Sequence, residues 1–589
     1  MTPGSQDVVK EPAGAVGRTT RLMPILDWAR HYDRSWLRPD LIAGVTVTAL
    51  IVPKNLGYAE IARVPVEHGL YAAAAGALLY AVFGTSRQIS TGPSSGLAAV
   101  AGSAVLAAGI ATEADATTIV TAIALGAGLI FVLLSILKMG WIAQFISRAV
   151  ITGFLFGAAI DVSVGELSKL TGTDASGDNA WQEFWSWLSG LDSVHGTTLL
   201  VSALSLSVLF GLRAVAPQIP GALVVVVGGL LASALFNLGD KGVALVGDVP
   251  RGLPSLTFPD FGLVADHALL VLLASVAIVM IGFSQSAGDA RYFAAKNGYR
   301  VDINQESLAQ GAANVGAGLF QGIPVSTSLS ASSLNDHAGA KSQVASLATG
   351  GAVVLTLLVL APLFSDLPKA VLGAVIIEAV TMGMMDLPEM RRLYTVKRSD
   401  FWIAVTAIGG VVLTGVLAGV VVGVVLSLIW LLRVVTSPSM PHLGRVRGTH
   451  VYRDPSDRSD VDLIPGVIAL RLEGALFFVT ADSLEDRIDE LVDTAESPPG
   501  VVILDLQSVT FVDAQGAGKL GEIAENLRAK GLPFRLAAVK PQVMDVFVRD
   551  GLVERIGPSN FYLNVDAAVN AHLEQSQPES MRSGDPGLS

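Results

Sequence analysis

Long apolar blocks separated by short polar or Gly/Pro-containing turns fill the chain from residue 39 to residue 436, after which the pattern changes. In the first region the apolar residues are continuous, not striped. GAVVLTLLVLAPL, from Gly351 to Leu363, offers no polar face, which suits a helix surrounded by lipid or by other helices. About fourteen runs are long enough to span roughly 30 Å of hydrocarbon or to serve as half-spans. They lie at 39–60, 69–84, 93–110, 116–138, 142–166, 197–214, 219–237, 266–288, 304–321, 325–338, 343–363, 368–385, 399–414 and 416–436. A count of twelve spans with two buried half-helices fits the same pattern.

Beyond Pro438 the texture becomes that of a water-soluble α/β domain. GVIALRL, GALFFV, VVILDL and PFRLAAV read as strands; ADSLEDRIDELVDTA, AQGAGKLGEIAENLRAKG and PQVMDVFVRDG read as helices. Strands alternating with helices predict a mostly parallel sheet covered by helices. The expected division is an N-terminal arm at 1–35, a transmembrane domain at 36–436, a polar linker at 437–465, the α/β domain at 466–572 and a disordered tail at 573–589.

Composition agrees with lipid. Of 589 residues 51% are hydrophobic and 15% charged, against about 25% charged in soluble chains. No cysteine is present, so neither a disulfide nor a thiolate metal site is proposed. The polar N-terminus does not read as a cleavable signal peptide. Lys and Arg gather in the arm (Arg18, Arg21, Arg30, Arg34, Arg38) and then in alternate loops: Lys138 and Arg148; Arg213; Arg291, Lys296 and Arg300; Arg391, Arg392, Lys397 and Arg398. Loop 171–196 has none, and Arg63, Lys241, Arg251 and Lys369 are the exceptions. The positive-inside bias and an even span count place both termini in the cytoplasm of a multi-pass cell-membrane protein, in a bacterial inner membrane or a plasma membrane.

Two segments break the apolar texture in the same way. ISTGPSSGLAAVAGSA (89–104) and GIPVSTSLSASSLNDHAG (322–339) each place Pro near the start and then Ser, Thr and Gly. Helices beginning at Pro93 and Pro324, part-way across the bilayer, would aim free N–H groups at the midplane, where they hold anions. One segment lies in each half of the chain, as in inverted-repeat transporters with discontinuous helices. Close helix packing explains one such segment alone; a matched pair favours a site. Pro93, Ser94 and Ser95 in the first segment, and Thr327, Ser328, Ser330 and Ala331 in the second, are the candidate substrate contacts.

The first span adds Lys54, Asn55 and Tyr58 within ALIVPKNLGYAEIA. An intramembrane cation costs about 2.5–3.5 kcal/mol on insertion scales and needs a partner or a wet cavity. Lys54 therefore faces the substrate cavity, or else snorkels or pairs with a carboxylate such as Asp161. Gln285 and Ser286 are neutral polar groups deep enough to reach the same cavity, while Asp289 and Arg291 read as cytoplasmic. Asp161 and Glu166, near the outer end of span five, reach outside water or take part in proton coupling.

These segments together resemble the SulP family, the sulfate-permease-like solute carriers, from about Trp36 to Leu563. PKNLGYAEIARVP followed by HGLYAAAAGALLYAVFGTSRQISTGPSS looks like the family's opening signature. SRAVITGF, PQIPGALVVVV, the stretch from AAKNGYRVDINQES to SQVASL, and LPKAVLGAVIIEA match later stretches in order. The resemblance implies two seven-helix inverted repeats, a nucleobase-transporter-like core and gate, substrate held between spans three and ten, and a homodimer. The soluble end is similar to a STAS domain, most clearly in VVILDLQSVTFVDAQGAGKL. Free-standing STAS regulators carry Asp-Ser-Ser/Thr-Gly in this loop, with the second hydroxyl residue phosphorylated. Here Asp513-Ala514-Gln515-Gly516 puts Gln515 at that position, which leaves folding, dimer contact or docking of a cytoplasmic protein as its role.

Three departures bear on the site. Many members read Ser-Leu-Ser-Arg in span ten, where Ser330 is here followed by Ala331. Span one usually offers Gln where Lys54 stands, and bacterial members often have Glu where Gln285 aligns. Lys54 is therefore expected to supply, from the opposite wall, the charge that Ala331 does not, as a point charge without the bidentate fork of Arg. Position 285 carries no carboxylate to couple a proton.

The leading expectation is secondary active transport of a small anion: sulfate, bicarbonate, chloride, a similar inorganic anion or a dicarboxylate, with protons or sodium as coupling ions. An uncoupled anion channel and a membrane-anchored STAS signalling scaffold are the alternatives from other classes. A nucleobase permease is disfavoured by the STAS domain and by the lack of paired carboxylates. No hydrolytic constellation or P-loop is found, so no enzyme, cofactor or metal is expected, and no nucleic-acid partner.

Overall fold

The computed structural model describes residues 23–140, 148–177, 179–217, 219–495 and 497–576. It divides into two compact units, Met1–Leu428 and Ile429–Ser589. The helices of the first that carry the apolar runs are α1 (Leu37–Ile61), α2 (Glu67–Phe83), α3 (Ser95–Ala107), α4 (Glu113–Ile136), α5 (Arg148–Thr171), α6 (Gly196–Val215) and α7 (Gly221–Phe236). Then follow α8 (Ala268–Asn297), α9 (Ile303–Leu319), α10 (Leu329–His337), α11 (Val344–Leu355), α12 (Lys369–Met384), α13 (Arg398–Thr414) and α14 (Val416–Thr436), the last crossing the boundary between the units. Each apolar run carries one of these helices; residues 142–147 of the fifth run lie outside the described residues. Among the described residues, eight helical stretches are long and apolar enough to cross a membrane, and α3 and α7 are shorter apolar helices.

Helices α3 and α10 are short because extended backbone precedes each. Strands β1 (Thr91–Pro93) and β2 (Val325–Thr327) pair antiparallel, Thr91 with Thr327, Gly92 with Ser326 and Pro93 with Val325. Irregular backbone buried among membrane helices must find its partners inside the protein, and α9 supplies them. The Asn314 amide donates to the Val325 carbonyl at 2.8 Å and its oxygen accepts from the Val325 N–H at 2.9 Å. Gln310, one turn earlier, donates to Thr91 Oγ1 at 3.1 Å. Glu306, a further turn back, accepts from Tyr80, Thr85 and Ser86 at the loop leading to β1.

The helices of this unit pack in two layers. In the first, α9 lies against α2 and α4, α11 against α1 and α2, α8 against α3 and α4, and α10 against α1. In the second, α5 lies against α6, α12 and α13, and α6 against α7. Contacts of α1 with α7 and α12, and of α3 with α5 and α12, join them. Small residues let the backbones close up. A Cβ on Gly311 of α9 would stand 2.7 Å from Val132 Cγ2 and 3.0 Å from the Gly128 carbonyl oxygen of α4.

The second unit is built on a parallel sheet in the order β6 (Val467–Arg471), β7 (Val501–Asp505), β8 (Phe534–Ala537), β9 (Phe561–Tyr562). Ile468, Leu470, Val502, Leu504 and Leu536 face α15 (Ala481–Asp493), α16 (Ala514–Ala529) and α17 (Pro541–Asp550). Val467, Ala469, Val501 and Ile503 face α18 (Val565–Ser576), Leu443 and Tyr452. Burial on both faces is what made these strands read as continuous apolar runs. Two expectations are corrected. The stretch read as a polar linker carries a three-stranded antiparallel sheet, in which β3 (Gly444–Val446) pairs with both β4 (Tyr452–Arg453) and β5 (Val461–Asp462). GALFFV is not a strand beyond a single bridge from Leu476 to Val512. It turns at Phe477, where the buried Thr480 side chain accepts from the Phe477 N–H and donates to the Ala475 carbonyl, leaving Phe478 exposed.

Candidate functional site

The strand pairing brings the starts of α3 and α10 together from opposite halves of the chain. The first turn of a helix has N–H groups without intrahelical partners, and no side chain caps α3. Ser94, at its N-cap, holds a buried Oγ with no partner, and Ser95 is buried. At the start of α10 the Ser328 hydroxyl accepts from the Ala331 N–H at 3.3 Å and lies 3.3 Å from the exposed Ser330 hydroxyl. Ala331 itself is buried.

Helix α8 flanks this junction. Gln285 accepts from Ser326 at 3.3 Å, and Ser286 is buried with its hydroxyl unpartnered. One turn on, Asp289 accepts from Thr327 Oγ1 at 3.0 Å. The Asp289 carboxylate thus touches β2, a contact the sequence reading did not suggest, while Arg291 is exposed. The signal was present in FSQSAGDA, where Gln285 and Asp289 are four residues apart and so on one helix face.

Tyr58 of α1 lies near Ser95 of α3 and near Glu378 of α12. Lys54, one turn earlier on α1, places Nζ 3.5 Å from Glu378 Oε2, and Arg213 of α6 donates to Glu378 Oε1 at 2.9 Å. Lys54 is thus not paired with Asp161. Its partner lies in VIIEAV, a carboxylate inside an apolar run that the sequence reading passed over. Asn55 is buried with its amide nitrogen unpartnered.

Asp161 and Glu166 belong to a different place. They line a cavity of 590 Å³ with Glu60, Arg63, Lys169 and Glu183. Lys169 bridges Glu60 at 2.8 Å and Glu166 at 2.9 Å. Glu166 is only 4% exposed, which corrects the expectation that it reaches outside water. In the second unit Asp513 caps α16 through the Gly516 N–H at 2.7 Å, and Gln515 stands exposed on the first turn.

Residues 37–407 match the model of the sulfate permease family, and residues 458–568 match that of the STAS domain. The chain belongs to the sulfate permease family of anion transporters and carries a C-terminal STAS domain. It is 33% identical to a probable sulfate transporter of Mycobacterium tuberculosis, over 92% of this chain and 96% of that protein. It is 30% identical to the chloroplastic sulfate transporter 4.1 of Arabidopsis thaliana, over 95% of this chain and 84% of that one. Among solved structures, the murine Solute Carrier 26 family member A9 anion transporter in its inward-facing state superposes with a TM-score of 0.85. That match has 23% identity and covers 96% of this chain and 97% of that one. The transmembrane domain of a cyanobacterial bicarbonate transporter gives a TM-score of 0.58 at 21% identity, covering 68% of this chain and 98% of its own. The fold is accordingly the family's: fourteen spans as seven-plus-seven inverted repeats, with half-helices α3 and α10 at the same place in each repeat, and core and gate layers. The layer of α1–α4 and α8–α11 is called the core below, and that of α5–α7 and α12–α14 the gate.

Proposed function

We propose that the chain is a secondary transporter that moves a small inorganic anion by alternating access of core and gate, with the anion held between the starts of α3 and α10. The observation that carries this reading is the Thr91–Thr327 pairing, which sets two helix N-termini against each other, with the half-buried Lys54 on the neighbouring α1. Ser94, Ser95, Ser328 and Ser330 offer hydroxyls, and the helix starts offer N–H groups and their positive dipole ends. Gln285, Ser286, Thr327, Asn55 and Tyr58 complete the polar lining around Pro93 and Ala331. Lys54 is the cation of the site. It is held in reserve by Glu378, an internal carboxylate that a bound anion replaces. Sulfate is the first substrate to test, because the curated relatives are described as sulfate transporters; bicarbonate and chloride follow. The basic loops support a cytoplasmic N-terminus and STAS domain, and the unphosphorylatable Gln515 favours a docking and dimer-contact role for that domain in a homodimer.

The test is uptake of labelled sulfate, bicarbonate and chloride into liposomes holding the purified full-length protein. Saturable uptake is expected for at least one of them. Lys54→Gln should lower it by roughly a hundredfold, the effect of losing one charge-assisted contact of about 3 kcal/mol, and Ala331→Arg should restore part of the loss. Unaltered uptake and affinity in Lys54→Gln would remove Lys54 from the site.

A further inference from the structure

Between α5 and α6 runs a short helix, Ala180–Ser189 (AWQEFWSWLS). Asn179 starts it by accepting from the Gln182 N–H at 3.0 Å. At about 100° per residue its positions fall into three sectors. Ala180, Glu183, Phe184 and Trp187 form the first, which turns toward the protein, where the helix packs on α5 and α13. Within it Trp187 Nε1 donates to Thr171 Oγ1 at 3.1 Å, and Glu183 lines the cavity of Asp161, Glu166 and Lys169. Gln182, Ser186 and Ser189 form a second, polar sector. Trp181, Trp185 and Leu188, at i, i+4 and i+7, form the third, and all three are exposed. The two indoles are 54% and 50% exposed and stand edge to face with their centroids 5.8 Å apart.

A helix in water has one apolar side, which it buries. This helix has a second one, and that side is left open. Its place in the fold says what covers it. It lies between the end of α5 at Thr171 and the start of α6 at Gly196, both long and apolar enough to cross a membrane. The His195 N–H donates to the Thr171 carbonyl at 2.9 Å and ties those two ends together. The helix therefore sits at the level where two spans leave the hydrocarbon, the level that tryptophan favours, with an apolar ring and a wet N–H. Leu191 in the turn before α6, and Leu199, Leu200 and Leu204 on α6, are exposed as well, as expected of surface that meets lipid. Charge decides the kind of lipid. Loop 171–196 has no Lys or Arg but carries Asp174, Glu183 and Asp192, so anionic headgroups gain nothing there.

We propose that Ala180–Ser189 is an interfacial helix that lies along the membrane surface. Trp181, Trp185 and Leu188 enter the boundary between headgroups and acyl chains of neutral lipid, and Gln182, Ser186 and Ser189 face water. The bilayer thereby holds in place a helix that forms one wall of the Glu166–Lys169 cavity. The inference depends neither on the cargo nor on which side of the membrane the loop occupies.

The chain has no cysteine, so a nitroxide label can be placed at one position at a time. Full-length Trp185→Cys, Ser189→Cys and Leu204→Cys are labelled in nanodiscs of phosphatidylcholine. Relaxation by oxygen, which concentrates in lipid, is compared with relaxation by a water-soluble nickel chelate. The label at position 185 should resemble the one at 204, on a span, and the one at 189 should favour the chelate. A label at 185 that groups with 189 would overturn the proposal and leave the face open to a soluble protein. So would lipid contact that appears only when anionic lipid is added. A second measurement stands even if Trp185→Cys does not fold. Lipids brominated near the top of their acyl chains should quench a smaller share of tryptophan emission in Trp181→Phe/Trp185→Phe than in the unaltered protein. An equal or larger share in the variant would overturn the proposal as well.

Discussion

Glu378 is the residue on which the candidate site turns, because it occupies both nearby cations at once. Its two oxygens hold Lys54 at 3.5 Å and Arg213 at 2.9 Å, and Tyr58 lies beside it. In the proposed site, an internal carboxylate competing for Lys54 weakens anion binding. Glu378→Gln should therefore lower the KM for anion uptake by roughly three- to tenfold, about 0.7–1.4 kcal/mol. Turnover should fall, since nothing then displaces the anion from Lys54. A raised KM in concentration-dependent uptake would show that Glu378 shapes the site instead of competing for it. The sequence marked Lys54 because a charge in an apolar run is conspicuous, yet Glu378 is equally conspicuous in VIIEAV. What could not be read was the pairing, which joins side chains more than three hundred positions apart. The Asp289–Thr327 contact was hidden for a related reason: it joins side chains on separate elements, α8 and β2.

At the scale of elements, the half-helices were legible from Pro93, Pro324 and the small residues after them, since those features are local. The β1–β2 pairing was not. Three-residue strands carry no periodicity, and their partners lie on a third element, α9. There Glu306, Gln310 and Asn314 recur every fourth position, a polar stripe on a helix that is otherwise small or apolar from Ser307 onward. Asn314→Leu should leave the N–H and C=O of Val325 buried and unpaired, a loss of roughly 2–5 kcal/mol. A lower melting temperature in detergent and loss of uptake are the expected outcomes; an unchanged melt would mean the strand crossing holds without α9. The soluble sheet was easy to read because its strands are buried on both faces. The β3–β5 sheet was not, because short, polar, half-exposed strands look like linker.

For the whole molecule, fourteen spans followed by an α/β domain followed directly from apolar run lengths and the change of texture at Pro438. The division into core and gate did not, because it depends on which of many similar apolar helices touch, and each layer mixes the two halves of the chain. That division gives the buried charges their meaning: the pairs Lys54–Glu378 and Glu60–Lys169 cross it, whereas Lys169–Glu166 and Arg213–Glu378 do not. The proposed alternating access has such a carrier expose its anion site to one side at a time. Counterflow tests that most directly. Liposomes containing the full-length protein are loaded with unlabelled sulfate and diluted into a trace of labelled sulfate, with chloride run in the same way. Alternating access predicts a transient accumulation of label above its equilibrium level for the transported anion. A smooth approach to equilibrium without overshoot, together with a large anion conductance, would contradict it and identify a channel.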